Sequence, residues 1–360
     1  MLRERELAYE LGEGWLGEVD RRSRSYVQWV QNSLNRLSGA GLAVDGQMGP
    51  RTRSAVISFQ RQRGLSPDGV VGPATEAALI AAGASPSPGA GASPTVGPLP
   101  SGAVSGVAPG LIKRETQPSA YTLYADIALG SETPARPMTG IFIPENYRPQ
   151  RQVDLILYLH GHNSPCGMAS NASIDRYWTH SYFNLCEEVN ASQKNVILVT
   201  PTLGPKSEAG RLVTRGGFDW YLDQVMAALR QYGPYQTARQ VPTVGNIILA
   251  CHSGGGTPMR QLALGRERYA FDIRECWGFD CLYPKNSYYL VKAWAQWASS
   301  HPNTRLYIHY LDSTEGNSRR LQSQNLPNVC VKRSTARNHC SVPQEHWQDR
   351  IRAARFLRNT

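Results

Sequence analysis

The stretch Ile247–Pro258 reads "IILACHSGGGTP". An apolar run of buried-strand type ends in Cys-His-Ser-Gly-Gly-Gly. The glycines allow the chain to turn sharply into a helix. Ser253 then sits at the tip of a strand-to-helix turn, where a base can convert its hydroxyl into a nucleophile. The usual frame for such a turn is G-x-S-x-G. Gly255 supplies the second glycine, but Cys251 stands in place of the first. Cysteine is small enough to be accommodated there. Cys251 lies two residues before the tip, inside the strand end, so its thiol points away from the site and is not the nucleophile. His252 reads as structural. His160 and His162 form an H-x-H pair with metal-binding spacing, but no nearby carboxylate or cysteine completes a ligand set. No metal and no other cofactor is expected.

The elements that would position Ser253 follow from the surrounding pattern. After about residue 119, strand-like runs alternate with helix-like ones: "TGIFIP", "VDLILYLHG", "NVILVTP", "GNIILACHS", "ECWGFD", "RLYIHYLD" and a weaker "NVCVKRS". Within "FDWYLDQVMAALRQYG", residues Phe218, Tyr221, Leu222, Val225, Met226 and Leu229 share one helical face, and Gly233 ends the helix. Further helices are expected after Ser253 and over "YYLVKAWAQWASS". Near-continuous apolar strands alternating with helices imply a mostly parallel sheet covered on both faces.

The N-terminal part is different. "DGQMGPRTRSA" (Asp45–Ala55) and "DGVVGPATEAA" (Asp68–Ala78) repeat the frame D-G-x-x-G-P-x-T-x-x-A. Gly46 and Gly69 suit tight turns with positive φ. Pro50 and Pro73 suit the first position of a helix. Ahead of them, Val27, Val30, Leu34 and Leu37 line one helical face. The unit expected is a compact, all-α domain of three short helices. It resembles the peptidoglycan-binding domain found on bacterial cell-wall enzymes, through "WVQNSLNRL", "VDGQMGPRTRSAVISFQRQRGL" and "DGVVGPATEAAL". That resemblance implies attachment to a wall polymer, with a scaffold or partner-protein handle as the alternative. The expected organisation is a charged extension over 1–24, the wall-binding unit over 25–83, a Pro/Gly/Ala/Ser linker over 84–118, and a larger domain over 119–360.

The larger domain resembles the α/β-hydrolase superfamily. "GIFIPENY" is similar to the strand and turn before the oxyanion strand, "LYLHGH" to the His-Gly end of that strand, and "ACHSGGG" to the nucleophile turn. The family's chain order is nucleophile, acid, base. The resemblance implies Ser253 as nucleophile and His339, in "ARNHCSVP", as base. The rival His346 reads as a surface helix residue. For the acid, topology favours Asp312 at the end of one strand, while Asp280, amid apolar residues at the end of the preceding one, has the setting of a buried orienting carboxylate. Both remain candidates. The backbone N–H groups of Gly254 and His162 are the implied oxyanion donors. The activity implied is that of an esterase-like serine hydrolase acting on a wall-linked ester or a lipid. The alternatives are an amide-cleaving wall hydrolase and a non-catalytic wall-binding protein on this fold. Thr202–Gly217 is expected to form a rim or partial lid.

Composition bounds the rest. The chain of 360 residues is 41% hydrophobic and 18% charged, ordinary globular material. No apolar run approaches the ~20 residues of a membrane span. The N-terminus has no continuous apolar core, so no standard secretory signal is expected. A formal charge of +10 favours contact with anionic surfaces, but no basic block interleaved with aromatics points to nucleic acid. The seven cysteines all follow residue 160, and no CxxC pair occurs. Cys330 and Cys340 flank a short loop and can pair in an oxidising compartment. Otherwise the set reads as buried free thiols.

Overall fold

A computed structural model describes residues 24–63, 67–71, 75–76, 78–79, 82, 84, 108–116, 120–131, 138–169, 171–178, 183–238 and 241–360. The chain divides into two compact units, Met1–Pro100 and Ser101–Thr360. The charged extension up to residue 23, residues 85–107 of the linker, and Gly72 with Pro73 of the second repeat lie outside the described residues.

In the first unit, helices Arg24–Ser38 and Pro50–Gln62 pack with helical residues 75, 76, 78 and 79. Val30, Leu34, Val56, Phe59 and Leu79 form its core, joined by Tyr26 and Trp29. The repeated frame serves a buried glutamine one helix earlier. Gln31 Nε2 donates to Asp45 Oδ1 at 2.7 Å and to Thr52 Oγ1 at 3.2 Å, and Gln31 Oε1 accepts from Gly46 N–H at 2.9 Å. Gln60 repeats this with Asp68 (2.8 Å), Thr75 (3.0 Å) and Gly69 (2.9 Å). Gly46 and Gly69 adopt φ 75° and 73°. Each Asp-Gly turn is thus closed by a side-chain amide whose own polar atoms are satisfied, which is what makes its burial tolerable.

The second unit is built on a nine-stranded sheet: β1 (Leu111–Thr116), β2 (Tyr121–Ala125), β3 (Thr139–Ile143), β4 (Gln152–Leu159), β5 (Ile197–Pro201), β6 (Thr243–His252), β7 (Ile273–Phe279), β8 (Arg305–Tyr310) and β9 (Val329–Arg333). Their spatial order is β1-β2-β3-β5-β4-β6-β7-β8-β9. β1 to β3 are antiparallel, β3 pairs antiparallel with β5, and the remaining pairs are parallel. Composition assigned residues 111–116 to the linker, yet they form β1. Its "LIKRET" is a charged, largely exposed edge with no apolar alternation to read.

Alternate residues of the central strands enter different cores. Leu155, Leu157, Leu159, Ile247, Leu249 and Cys251 face one layer, with Phe218, Tyr221, Leu222, Val225, Met226 and Leu229 of helix Gly217–Tyr232. Ile156, Tyr158, Ile248, Ala250, Trp277 and Phe279 face the other, against Val189, Trp347 and Ile351. Burial on both faces explains why these strands read as continuous apolar runs. β4 lies between β5 and β6, so the chain crosses from one side of β4 to the other, and ligand crevices form at the carboxyl ends of strands at such a switch. Register aligns those ends: Leu159 pairs with Cys251, Cys251 with Gly278, and Phe279 with His309. Strand order, strand direction and two-sided burial are those of the α/β-hydrolase fold, with one extra strand at the leading edge.

Candidate active site

Ser253 directly follows β6 and begins a short 3-10 turn, Ser253–Gly255, before helix Gly256–Ala263. Its φ is 51°, a left-handed conformation that costs a serine about 1–3 kcal/mol. Close approaches around it require glycine. A Cβ at Gly161 would lie 2.7 Å from Ser253 Cβ, one at Gly255 2.3 Å from the Leu159 carbonyl oxygen, and one at Gly256 2.3 Å from that of Cys281. The departure at Cys251 also has a local reason. Its strand neighbour is Gly278, and Cys281 Sγ occupies the place of the missing side chain, 2.5 Å from where a Gly278 Cβ would stand. Cys251 and Cys281 share that space through a thiol contact. Burial raises the Cys251 thiol pKa well above its ordinary value, so it is not a ready thiolate.

Asp280 follows β7 with φ 47° and is fully buried. Its carboxylate accepts from His339 Nδ1–H at 2.6 Å, Ser313 Oγ–H at 2.9 Å, Leu311 N–H at 3.0 Å, and the Thr314 hydroxyl. Burial pushes its pKa up. The bonds from His339, Thr314 and Leu311 outweigh that and bring it down to about 2. The Nδ1–H bond leaves His339 Nε2 as the nitrogen able to take a proton. His339 opens a 3-10 turn capped by Asn338, whose side chain accepts from Cys340 N–H and Ser341 N–H at 3.0 and 3.1 Å. His252 Nε2–H donates to the His339 carbonyl oxygen at 3.0 Å, and the two rings lie 4.5 Å apart. The base candidate is thus tied to the residue directly before Ser253.

Of the two aspartates weighed from sequence, the one that meets His339 is Asp280, not Asp312. Asp312 is 82% exposed and paired with Arg333. A strand-end position alone does not show which carboxylate collects donors. His346 also differs from its reading as a surface residue. Its Nε2 bonds Ser334 Oγ at 2.7 Å, and its ring stacks 3.8 Å from that of His309. His160 braces the turn after β4: Nδ1–H donates to the Gly161 carbonyl oxygen at 2.7 Å, and Nε2 accepts from Leu203 N–H at 2.8 Å. Among the described residues no group of three His, Cys, Asp or Glu could hold a metal ion.

His162 and Gly254 come together. A Cβ at Gly254 would lie 2.5 Å and 2.6 Å from His162 Cδ2 and Nε2, and 2.8 Å from Ser207 Oγ. Ser207 belongs to the expected rim, Thr202–Gly217, much of which is packed rather than free: Leu203, Ser207 and Leu212 are buried. Asn163 N–H fastens this loop by donating to the Pro205 carbonyl oxygen at 3.0 Å. The sequence offered no sign of Ser207 beyond its place in that loop. The disulfide joins Cys166 to Cys340, 174 residues apart, and Cys330 is free. Neither sequence alternative holds in full: Cys330 does not pair with Cys340, and the set is not wholly free thiols, because Cys166 and Cys340 are joined. Folding brings the turn after β4 against the turn that carries His339, a proximity that spacing along the chain does not reveal.

Residues 23–79 match the family model of a peptidoglycan binding domain. No curated protein matches the chain. Among solved structures, the chain is similar to an S-formylglutathione hydrolase from Agrobacterium tumefaciens, at 10% identity and a TM-score of 0.43, over 67% of this chain and 96% of that one. It is similar to the feruloyl esterase module from Clostridium thermocellum, at 10% identity and a TM-score of 0.44, over 71% and 96%. It is also similar to an esterase from Pyrococcus furiosus, at 13% identity and a TM-score of 0.35, over 68% and 96%. The chain thus joins a segment matching the peptidoglycan binding domain family, residues 23–79, to a unit with the α/β-hydrolase fold.

Proposed function

We propose that this protein is a serine hydrolase that cleaves a carboxylic ester and is held at the bacterial wall by its N-terminal unit. The observation that carries the reading is the buried Asp280 carboxylate bonded to His339 Nδ1, with His339 tied to the neighbour of a left-handed Ser253 at a strand end. In this reading His339 Nε2 takes the Ser253 proton as Oγ adds to the ester carbonyl carbon. Asp280 holds the imidazole in the required tautomer and stabilises the imidazolium. The N–H groups of Gly254 and His162 receive the oxyanion. Collapse expels the alcohol, which takes the proton from His339. Water then releases the acid from Ser253 by the same steps.

The peptidoglycan binding domain match supports a substrate in or near the wall, either a wall-linked ester or an envelope lipid. Residues 25–83 bind the polymer, and the segment between them and the sheet acts as a tether. Two measurements on the full chain test the reading. A fluorophosphonate probe is expected to label the folded protein at Ser253, and the protein is expected to sediment with insoluble peptidoglycan. Absence of the Ser253 adduct contradicts the chemistry, and a protein that stays in the supernatant contradicts the targeting.

A further inference from the structure

We propose that Ser207 is a catalytic residue of this site, its hydroxyl donating a third hydrogen bond to the oxyanion beside the N–H groups of Gly254 and His162. The inference rests on the acyl-serine reading above. Ser207 combines two unfavourable features. Its φ is 65°, in the left-handed region that serine seldom adopts. Its hydroxyl is buried, with the residue 4% exposed, and has no hydrogen-bond partner among the described residues. A buried hydroxyl without a partner is a net cost to folding. Both features persist because the loop is held around them: Ser207 N–H donates to the Gly204 carbonyl oxygen at 2.8 Å, and Gly204 N–H to that of Glu208 at 2.8 Å.

The orphan hydroxyl has a definite position. It lies 2.8 Å from where a Cβ on Gly254 would stand, with the His162 ring close to the same point. Gly254 is the residue after Ser253, so the hydroxyl lies beside the residue whose N–H is the proposed oxyanion donor. When Ser253 Oγ bonds to the carbonyl carbon, its proton passes to His339 and the carbonyl π pair moves onto oxygen. Ser207 Oγ–H then meets an anionic acceptor, for which hydrogen bonds are strongest. Collapse restores the C=O bond, expels the alcohol oxygen and returns the His339 proton to it. Ser207 keeps its own proton throughout. A polar group left unsatisfied in the resting enzyme and satisfied in the transition state contributes to kcat rather than to ground-state binding.

The test compares wild type with Ser207→Ala, which removes the donor, and Ser207→Gly, which removes it and also relieves the positive φ. For p-nitrophenyl acetate, kcat is expected to fall about 10²-fold in both variants, with KM within about twofold. Affinity for benzeneboronic acid, which forms a tetrahedral adduct on serine, is expected to weaken in parallel, while inhibition by acetate is unchanged. Thermal midpoints are expected to hold or rise, because no bond of the folded state is lost. A kcat near wild type in either variant, or a loss of kcat that tracks a falling midpoint, overturns the inference and leaves the acyl-serine reading standing. A wild-type protein that does not hydrolyse esters, or a Ser253→Ala variant that does, overturns both.

Discussion

The Asp280 carboxylate and the His339 imidazole, 59 positions apart in the chain, share a 2.6 Å hydrogen bond. The carboxylate is fully buried and the imidazole side chain is 25% exposed. One partner is shielded from water and fixed by three further donors, while the other reaches toward solvent. That asymmetry suits an orienting acid behind a working base.

The pair separates the two aspartates experimentally. Asp280→Asn is expected to lower kcat for a p-nitrophenyl ester by about 10⁴-fold, through the wrong imidazole tautomer. Asp312→Asn breaks only an exposed pair with Arg333, so kcat is expected to stay near wild type and stability to move by less than about 1 kcal/mol. Steady-state kinetics of the two variants decides, and the reverse pattern would restore Asp312 as the acid.

Acid is expected to destabilise the fold well above the range where Asp280 titrates. Burial holds His160, His252 and His309 neutral, with pKa values lowered to about 4, 3 and 3. Repulsion from His339 adds to the effect at His252, and repulsion from His346 at His309. An unfolded imidazole takes its proton near pH 6.5, so below that pH the unfolded state binds more protons and stability falls. Each such group costs about 1.4 kcal/mol per pH unit until its folded pKa is reached. Asp280, depressed to about 2, contributes stability that is full above its unfolded pKa and is lost only as pH falls from about 4 toward 2. Urea unfolding at pH 7.5 and 5.0 should therefore differ by several kcal/mol, and equal stabilities would contradict the neutral buried histidines.

The disulfide is expected to matter for both stability and turnover. Cys340 directly follows His339, and Cys166 lies four residues after His162. Removing the link with Cys166→Ala and Cys340→Ala together should cost about 3–5 kcal/mol and lower kcat by loosening the turn that carries His339. Cys330→Ala should leave the link in place. Peptide mapping without reduction checks the connectivity, and a Cys330–Cys340 peptide would refute it.

Glycine at position 254 is expected to be indispensable. A methyl group there must displace the His162 ring or Ser207 Oγ. Shifts of that size at a reacting centre cost about 10²-fold in rate. Gly254→Ala should therefore remain folded by circular dichroism yet lose at least that much kcat, whereas near-normal turnover would mean that these groups do not border the reacting carbonyl.

Much of the α/β architecture was legible because two-sided burial writes itself as apolar runs, and one-sided burial as the Phe218-to-Leu229 stripe. β1 was not, since an exposed charged edge leaves no such trace. Ser253 and His339 were legible as candidates, the first from a glycine-rich strand end and the second from the chain order that the family resemblance implies. The carboxylate that meets His339 was not, because Asp280 and Asp312 both end strands, and only the folded chain shows His339, Leu311, Ser313 and Thr314 donating to Asp280. Ser207 and the Cys166–Cys340 link depend on contacts between distant loops, which neither periodicity nor local spacing encodes. In the small unit the repeat itself was plain, while its cause, the paired buried glutamines Gln31 and Gln60, emerged from their hydrogen bonds.

Ester hydrolysis by Ser253→Ala beside wild type tests the central claim most directly. With p-nitrophenyl esters of rising chain length, wild type should turn over at least one member of the series. The variant should lose about 10⁴-fold or more in kcat while its thermal midpoint holds or rises, since the left-handed backbone at this position is no worse for alanine than for serine. A Ser253→Ala protein that keeps full turnover would contradict the account.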